Sequence, residues 1–323
     1  MASGAPSRGA CVVRYGLLPP GKEPVLRFRP LSACLFTSLG VAAVACGERA
    51  KAPASRSAIV DDLGDTIRPG APARRIVSLS PVTTEILFAL GAGGRLVGRT
   101  HWDLYPDSAR RVPDLGNGIQ PSVEAILGAR PDLVVLYASP ANRAAASQLR
   151  RSGVATLSIS EDRVADFPRA VRWLADAVGE RSAGARIIDT VEQSLRSVKV
   201  QARPATARTV FWHIWDSPLY TIGGGSYLDE LVETAGAVNI FHDLGAASPT
   251  VTMEEIVRRN PDFVLAGPTA AATIRSSAKW QAVPAVRTGR VLVVDTALVG
   301  RPGMRMGEAA RHLRALIMGN TVR

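Results

Sequence analysis

Residues 122–136 read "SVEAILGARPDLVVL", and residues 252–266 read "TMEEIVRRNPDFVLA". Glu124, Ile126, Pro131, Asp132 and Val134 of the first stretch recur as Glu254, Ile256, Pro261, Asp262 and Val264 in the second. Each stretch predicts a short helix, a stop and a strand. Ser122 and Thr252 are side chains suited to cap a helix N-terminus. Pro131 and Pro261 end the helices, because proline lacks a backbone donor and clashes with the preceding turn. The same unit at matched places requires two similar halves.

The rest of the pattern agrees with two halves. "AIVDDLGDTIRPGAPA" predicts an edge hairpin turning at residues 62–64. Compact apolar strands then alternate with helices: "RRIVSLSP", a helix "VTTEILFALGAGG" ending near Gly91, "LVGRT", the first repeat unit, a helix closed by Gly153, and "VATLSIS". Such alternation predicts parallel sheets covered on both faces. From Asp166 to Lys199 the pattern is almost wholly helical, broken near Gly179 and Gly184. Ile187, Ile188, Val191, Leu195 and Val198 recur at an α-helical period. Strand and helix then alternate again, through "ARTVFWHIW" and the second unit, to a closing helix "GMRMGEAARHLRALIMG". The expected class is α/β, two Rossmann-like lobes joined by a long rigid helix. The divisions fall at 59–178, 179–203 and 204–323.

The first 58 residues are read separately. "RFRPLSACLFTSLGVAAVAC" runs from basic to apolar to small residues, the order of an export signal spanning 1–45. Its apolar stretch is shorter than the roughly 20 residues a membrane-spanning helix needs. "AVAC" resembles a bacterial lipoprotein box, which implies cleavage before Cys46 and lipid on its sulfur. Residues 46–58 read as a flexible tether. The other two cysteines, Cys11 and Cys34, lie in the expected signal, so the exported chain would have no disulfide and no thiolate metal site. The chain carries a net charge of +11. Its arginines are scattered singly, without the run or zinc spacing of a nucleic-acid binder, so no nucleic-acid partner is expected.

Two α/β lobes leave a cleft, and open α/β sheets bind ligands beyond the C-terminal ends of their strands. Only 5% of residues are aromatic, yet Trp102, Tyr105, Tyr137, Trp215 and Tyr220 all fall at such ends. A wall of rings suits a large, flat, partly apolar ligand. Ser80 and Pro81 end the first strand, Asn117 and Gly118 lie on a loop facing the cleft, and Gly224 belongs to a glycine turn able to approach a ligand closely. Trp212, inside a strand, reads as core, and Trp173 and Trp280 as packing. His101, His213, His242 and His312 show no metal-ligand spacing; His101 at the cleft edge could ligate iron in haem, with Tyr105 or Tyr137 as alternatives. No nucleophile elbow or carboxylate pair is present in the pattern, so no catalytic residue and no resident metal or cofactor is assigned.

Taken together, "RRIVSLSPVTTEILFALGAGGRLVGRT", "PSVEAILGARPDLVV", "GGGSYLDELVETAGAVNIF" and "RPGMR" resemble a class III solute-binding protein of ABC importers, the group carrying cobalamin, ferric siderophores and haem. The resemblance implies that Glu124 and Glu254 dock onto arginine pockets of the permease, and that the loops of Trp102 and Tyr137 contact ligand. Glu255 instead fits a capping box from Thr252. The expected function is capture of a corrinoid, cobalamin, by a monomer and delivery to a permease dimer with its ATPase subunits at a lipid-anchored site in the periplasm or cell envelope. Haem or a ferric siderophore is the alternative cargo, for which Arg99 and Arg301 are the cleft arginines. An exported two-lobe enzyme is the alternative of another class.

Overall fold

The computed structural model describes residues 58–68, 70–200 and 207–319. The expected export signal, Cys46 and nearly all of the tether lie outside the described residues.

The first lobe opens with an antiparallel hairpin, β1 (Ile59–Val60) against β2 (Thr66–Ile67). It continues with β3 (Ile76–Ser78), α1 (Pro81–Ala89), β4 (Leu96–Gly98), α2 (Val123–Gly128), β5 (Leu133–Tyr137), α3 (Pro140–Arg151), β6 (Ala155–Ile159) and α4 (Asp166–Val178). Its four long strands form a parallel sheet in the order β4-β3-β5-β6. Then comes α5 (Arg181–Val200).

The second lobe holds β7 (Arg208–Trp212), a small antiparallel hairpin of β8 (Trp215–Asp216) and β9 (Leu219–Tyr220), α6 (Tyr227–Thr234), β10 (Ala237–Asn239), α7 (Met253–Arg259), β11 (Phe263–Ala266), α8 (Pro268–Ser276), α9 (Pro284–Arg287), β12 (Val291–Val293), α10 (Thr296–Val299) and α11 (Met306–Gly319). Its parallel sheet has the order β10-β7-β11-β12. Both sheets therefore place the repeated strand, β5 or β11, beside the lobe's first long strand, β3 or β7.

The repeat is structural in detail. Ser122 and Thr252 accept the backbone N–H three residues on, and Thr252 with Glu255 completes the capping box. The stop differs from the expected proline stop: α2 and α7 end before Pro131 and Pro261, and the residues ahead of the prolines, Arg130 and Asn260, turn left-handed. Asp132 accepts the N–H groups of Arg74 and Arg75, at 2.8 and 3.1 Å. Asp262 accepts the N–H and hydroxyl of Thr209. Each aspartate thus ties the start of the repeated strand to the start of its neighbour.

Side chains alternate across each strand. Leu133 and Val135, like Phe263 and Leu265, face one shared core, while Val134 and Leu136, like Val264 and Ala266, face a separate outer core in their own lobe. Ile126 and Ile256 cover those outer cores. The shared core runs from Ile76 and Ile86 through Ile188, Val191 and Val198 of α5 to Val210, Leu231 and Leu313. Gly184 does not break the helical run. It lies within α5, where a Cβ would sit 2.7 Å from that of Ala175, so glycine lets α4 and α5 pack closely. The break is at Gly179 alone, which caps α4 with φ of 82°.

Candidate functional site

The C-terminal ends of the parallel strands carry the loops on which the expected binding residues lie. In the second lobe, the ends of β7, β11 and β12 enclose a cavity of about 480 Å³ lined by residues including Trp212, Ile214, Leu228, Gly267 and Thr296. A further cavity of about 300 Å³ lies at the opposite edge of the first lobe, between the β1–β2 hairpin and the starts of β5 and β6, away from these loops.

Bulky rings stand in water on both sides. Trp102 and Tyr105, after β4, are 57% and 45% exposed, and Trp215, on the hairpin after β7, is 62% exposed. Tyr220 pairs with Trp215 across that hairpin. Leu104, Ile119 and Ile214 are exposed beside them on the same loops. Trp212 is buried, and Trp280 packs under the second sheet against Phe211 and His213.

Other expected residues have partners within the protein. Ser80 caps α1 and donates to Glu161 at 2.5 Å, and Pro81 is the first residue of that helix. The Tyr137 hydroxyl donates to Asp162 at 2.5 Å. Asn117 accepts the N–H groups of Ile119 and Gln120, shaping its own loop. Gly118 passes so close to the β3 end that a Cβ would lie 2.1 Å from the Leu79 carbonyl oxygen.

Gly224 departs from the expected ligand-facing role. Its N–H donates to the Leu244 carbonyl, and a Cβ would lie 2.2 Å from the His242 carbonyl oxygen. The glycine turn accommodates the 242–247 loop. Arg99 departs likewise: buried, it gives its guanidinium to the carbonyls of Ala109, Thr100 and Arg110. Arg301 lies 3.8 Å from Glu85. Glu124 and Glu254 are both exposed, one on the first turn of α2 and one on that of α7.

The sequence reading overlooked a group of buried acids, Glu85, Asp103 and Glu161. Burial pushes the Glu85 carboxyl up to about 7, against Arg301, Arg305 and a hydrogen bond from the Met304 backbone. Burial likewise pushes Glu161 up to about 8, against the Ser80 hydrogen bond. Asp103 is also raised by burial, although Thr100 and Thr84 donate to it at 2.5 Å. The Tyr227 hydroxyl is raised by burial, then by the charges of Glu85 and Glu230. No spacing rule marks these groups, because they come from different strands and helices and meet only in the fold. Among the described residues, no group of three or more His, Cys, Asp or Glu could hold a metal ion.

Residues 76–298 match the family described as periplasmic binding protein. The Bacillus subtilis (strain 168) protein named uncharacterized ABC transporter substrate-binding lipoprotein YvrC is 28% identical over 261 residues, 77% of this chain and 81% of that one. The periplasmic vitamin B12 binding protein BtuF of Vibrio cholerae shares the fold with a TM-score of 0.68 at 23% identity, covering 79% of this chain and 100% of that one. The apo periplasmic heme-binding protein RhuT from Roseiflexus sp. RS-1 shares it with a TM-score of 0.69 at 24% identity, covering 77% and 99%. With two parallel sheets presenting exposed rings at their strand ends, the chain belongs to the periplasmic binding protein family of ABC importers.

Proposed function

We propose that this protein captures a corrinoid, cobalamin, between its lobes and hands it to an ABC permease. The carrying observation is the exposure of Trp102 and Trp215, one in each lobe, on loops that follow parallel strands. Monomeric proteins seldom leave such rings in water without a partner, and a flat macrocycle with apolar faces is a partner that rings stack on. The arginines that would favour a ferric siderophore or the carboxylates of haem are engaged: Arg99 holds backbone carbonyls, and Arg301 lies beside Glu85. Asp162, just after β6 and exposed, adds acid to the first lobe's strand-end loops, which suits the carboxamide fringe of a corrinoid better than a carboxylate.

Glu124 and Glu254 serve as the docking acids for the permease dimer, which works with its ATPase subunits. Lipid on Cys46 holds the protein in the cell envelope, a reading supported by the lipoprotein name of the Bacillus subtilis relative.

The test is titration of the purified protein with cyanocobalamin, haemin and a ferric catecholate, followed by tryptophan fluorescence and the visible spectrum. Saturable quenching by cyanocobalamin is expected. A shifted haemin band without a response to cyanocobalamin would reassign the cargo to haem, and no response to any of the three would favour an enzyme on the same scaffold.

A further inference from the structure

The chain contains a second echo. Residues 85–92 read "EILFALGA" and residues 230–237 read "ELVETAGA", with Glu85, Gly91 and Ala92 recurring as Glu230, Gly236 and Ala237. The two segments occupy corresponding places. Each lies on the helix after its lobe's first long strand, α1 after β3 and α6 after β7. Each helix is capped by a serine, Ser80 or Ser226, and the echoed glycines follow it in left-handed conformation, with φ of 76° and 88°.

Both glutamates reach across to the opposite lobe. Glu230 accepts from Arg163 at 2.5 Å and from the Val164 N–H at 2.7 Å, on the segment leading into α4. Glu85 lies 3.8 Å from the guanidinium of Arg301, on the segment leading into α11. Each carboxylate thus faces a guanidinium of the other lobe, and Glu230 also accepts a main-chain N–H there. Gly303 lets the segment leading into α11 pass close to Glu85, since a Cβ there would sit 2.9 Å from Glu85 Oε2. Tyr227 is buried near both carboxylates, and its hydroxyl has no hydrogen-bond partner.

We propose that Glu85 and Glu230 form a reciprocal clasp that fixes the separation of the lobes, and that both are positioning residues for cargo retention. A charge-assisted contact is worth more than a neutral one and demands tighter geometry. The hydrogen-bonded ion pair at Glu230 and the Glu85–Arg301 approach, made in opposite directions across one boundary, resist both splaying and sliding. The clasp as a cargo-retention device rests on the reading of the cleft given above. Its mechanical part is independent of that reading.

The experiment follows backbone hydrogen exchange in the cargo-free protein, in peptides covering Val164 and Met306, for the parent, Glu230→Gln and Glu230→Ala. Melting temperature and circular dichroism confirm the fold. Exchange about tenfold faster at Val164 and at the distant Met306 is expected, because loss of one half of the clasp frees the other. Faster exchange at Val164 alone would overturn the proposal, showing two local contacts in place of one device.

Cargo release is then read by stopped flow with cyanocobalamin. Dissociation about tenfold faster with little change in association is expected for Glu230→Gln, and the exchanged pair Arg163→Glu with Glu230→Arg should slow it again. Unchanged dissociation in Glu230→Gln would remove the retention role. If the parent takes up no cyanocobalamin while exchange still rises at both sites, the cargo reading fails and the clasp stands.

Discussion

Arg130 and Asn260, each directly ahead of the proline in its repeat, share one backbone conformation, with φ of 49° and 46°. Asparagine tolerates this left-handed region; arginine has no side-chain compensation for it and incurs about 1 kcal/mol. The Arg130 contact with Arg75 runs through the backbone carbonyl and leaves the side chain free to change. Arg130→Asn, which copies the second lobe's solution, is expected to stabilise the protein by about 0.5–1 kcal/mol. Chemical denaturation checks this, read as a higher midpoint at unchanged slope.

Asp132→Ala removes the acceptor of two backbone N–H groups, and Asp262→Ala removes that of a backbone N–H and a hydroxyl. Each is expected to cost about 1–3 kcal/mol. Glu124→Ala, on the exposed face of the same repeat, is expected to shift stability by no more than about 0.5 kcal/mol. Thermal melts of the three variants side by side would show the contrast.

Trp102→Ala and Trp215→Ala are each expected to weaken cyanocobalamin binding by about tenfold to a hundredfold, the usual effect of truncating a central aromatic contact. Trp173→Ala, which removes a ring partly packed on the core under Arg169, should instead lower stability. Calorimetric titration separates the two classes.

Reversing Glu124 and Glu254 together to arginine is expected to abolish uptake by whole cells and leave the affinity of the purified protein unchanged. Both side chains are exposed and face away from no buried partner that the change would strand. Transport of radiolabelled cobalamin by a strain carrying the double variant measures the first, and titration of the same variant the second.

Stability should fall as pH rises. Glu85 and Glu161 are raised in the folded protein to about 7 and about 8, above the ordinary value of 4.5. The native state therefore holds protons that the unfolded chain has already released. Their contribution is complete below about pH 4.5 and is lost as pH climbs through 7 and 8. Glu161→Gln, which stays neutral, should flatten the decline between about pH 5 and 8, followed as melting temperature. His242 adds in the same direction: its hydrogen bond to Asp229 raises its pKa, so that its ion pair is lost above the ordinary imidazole range.

The α/β alternation and the repeat of residues 122–136 were legible because parallel strands are apolar on both faces and the helices between them have clear caps. The exposed tryptophans were legible for the same reason, since a strand end fixes where the next residue lies. Gly224 misled, because a glycine turn that approaches a ligand and one that accommodates a neighbouring loop look alike in sequence. Arg99 misled because nothing local reveals that three carbonyls await its guanidinium. The cross-lobe carboxylates were hidden for a further reason. "EILFALGA" and "ELVETAGA" share few identities, and what unites Glu85 with Glu230 is a pair of partners, Arg301 and Arg163, far away in the chain.

The 20-residue α5 rises about 30 Å at the usual pitch and is braced along its flanks by α4 and α11. A rod supported in that way has little suppleness of its own. Opening must come from a pull applied at the rims, and an empty carrier and a full one then show nearly the same outline to whatever meets them.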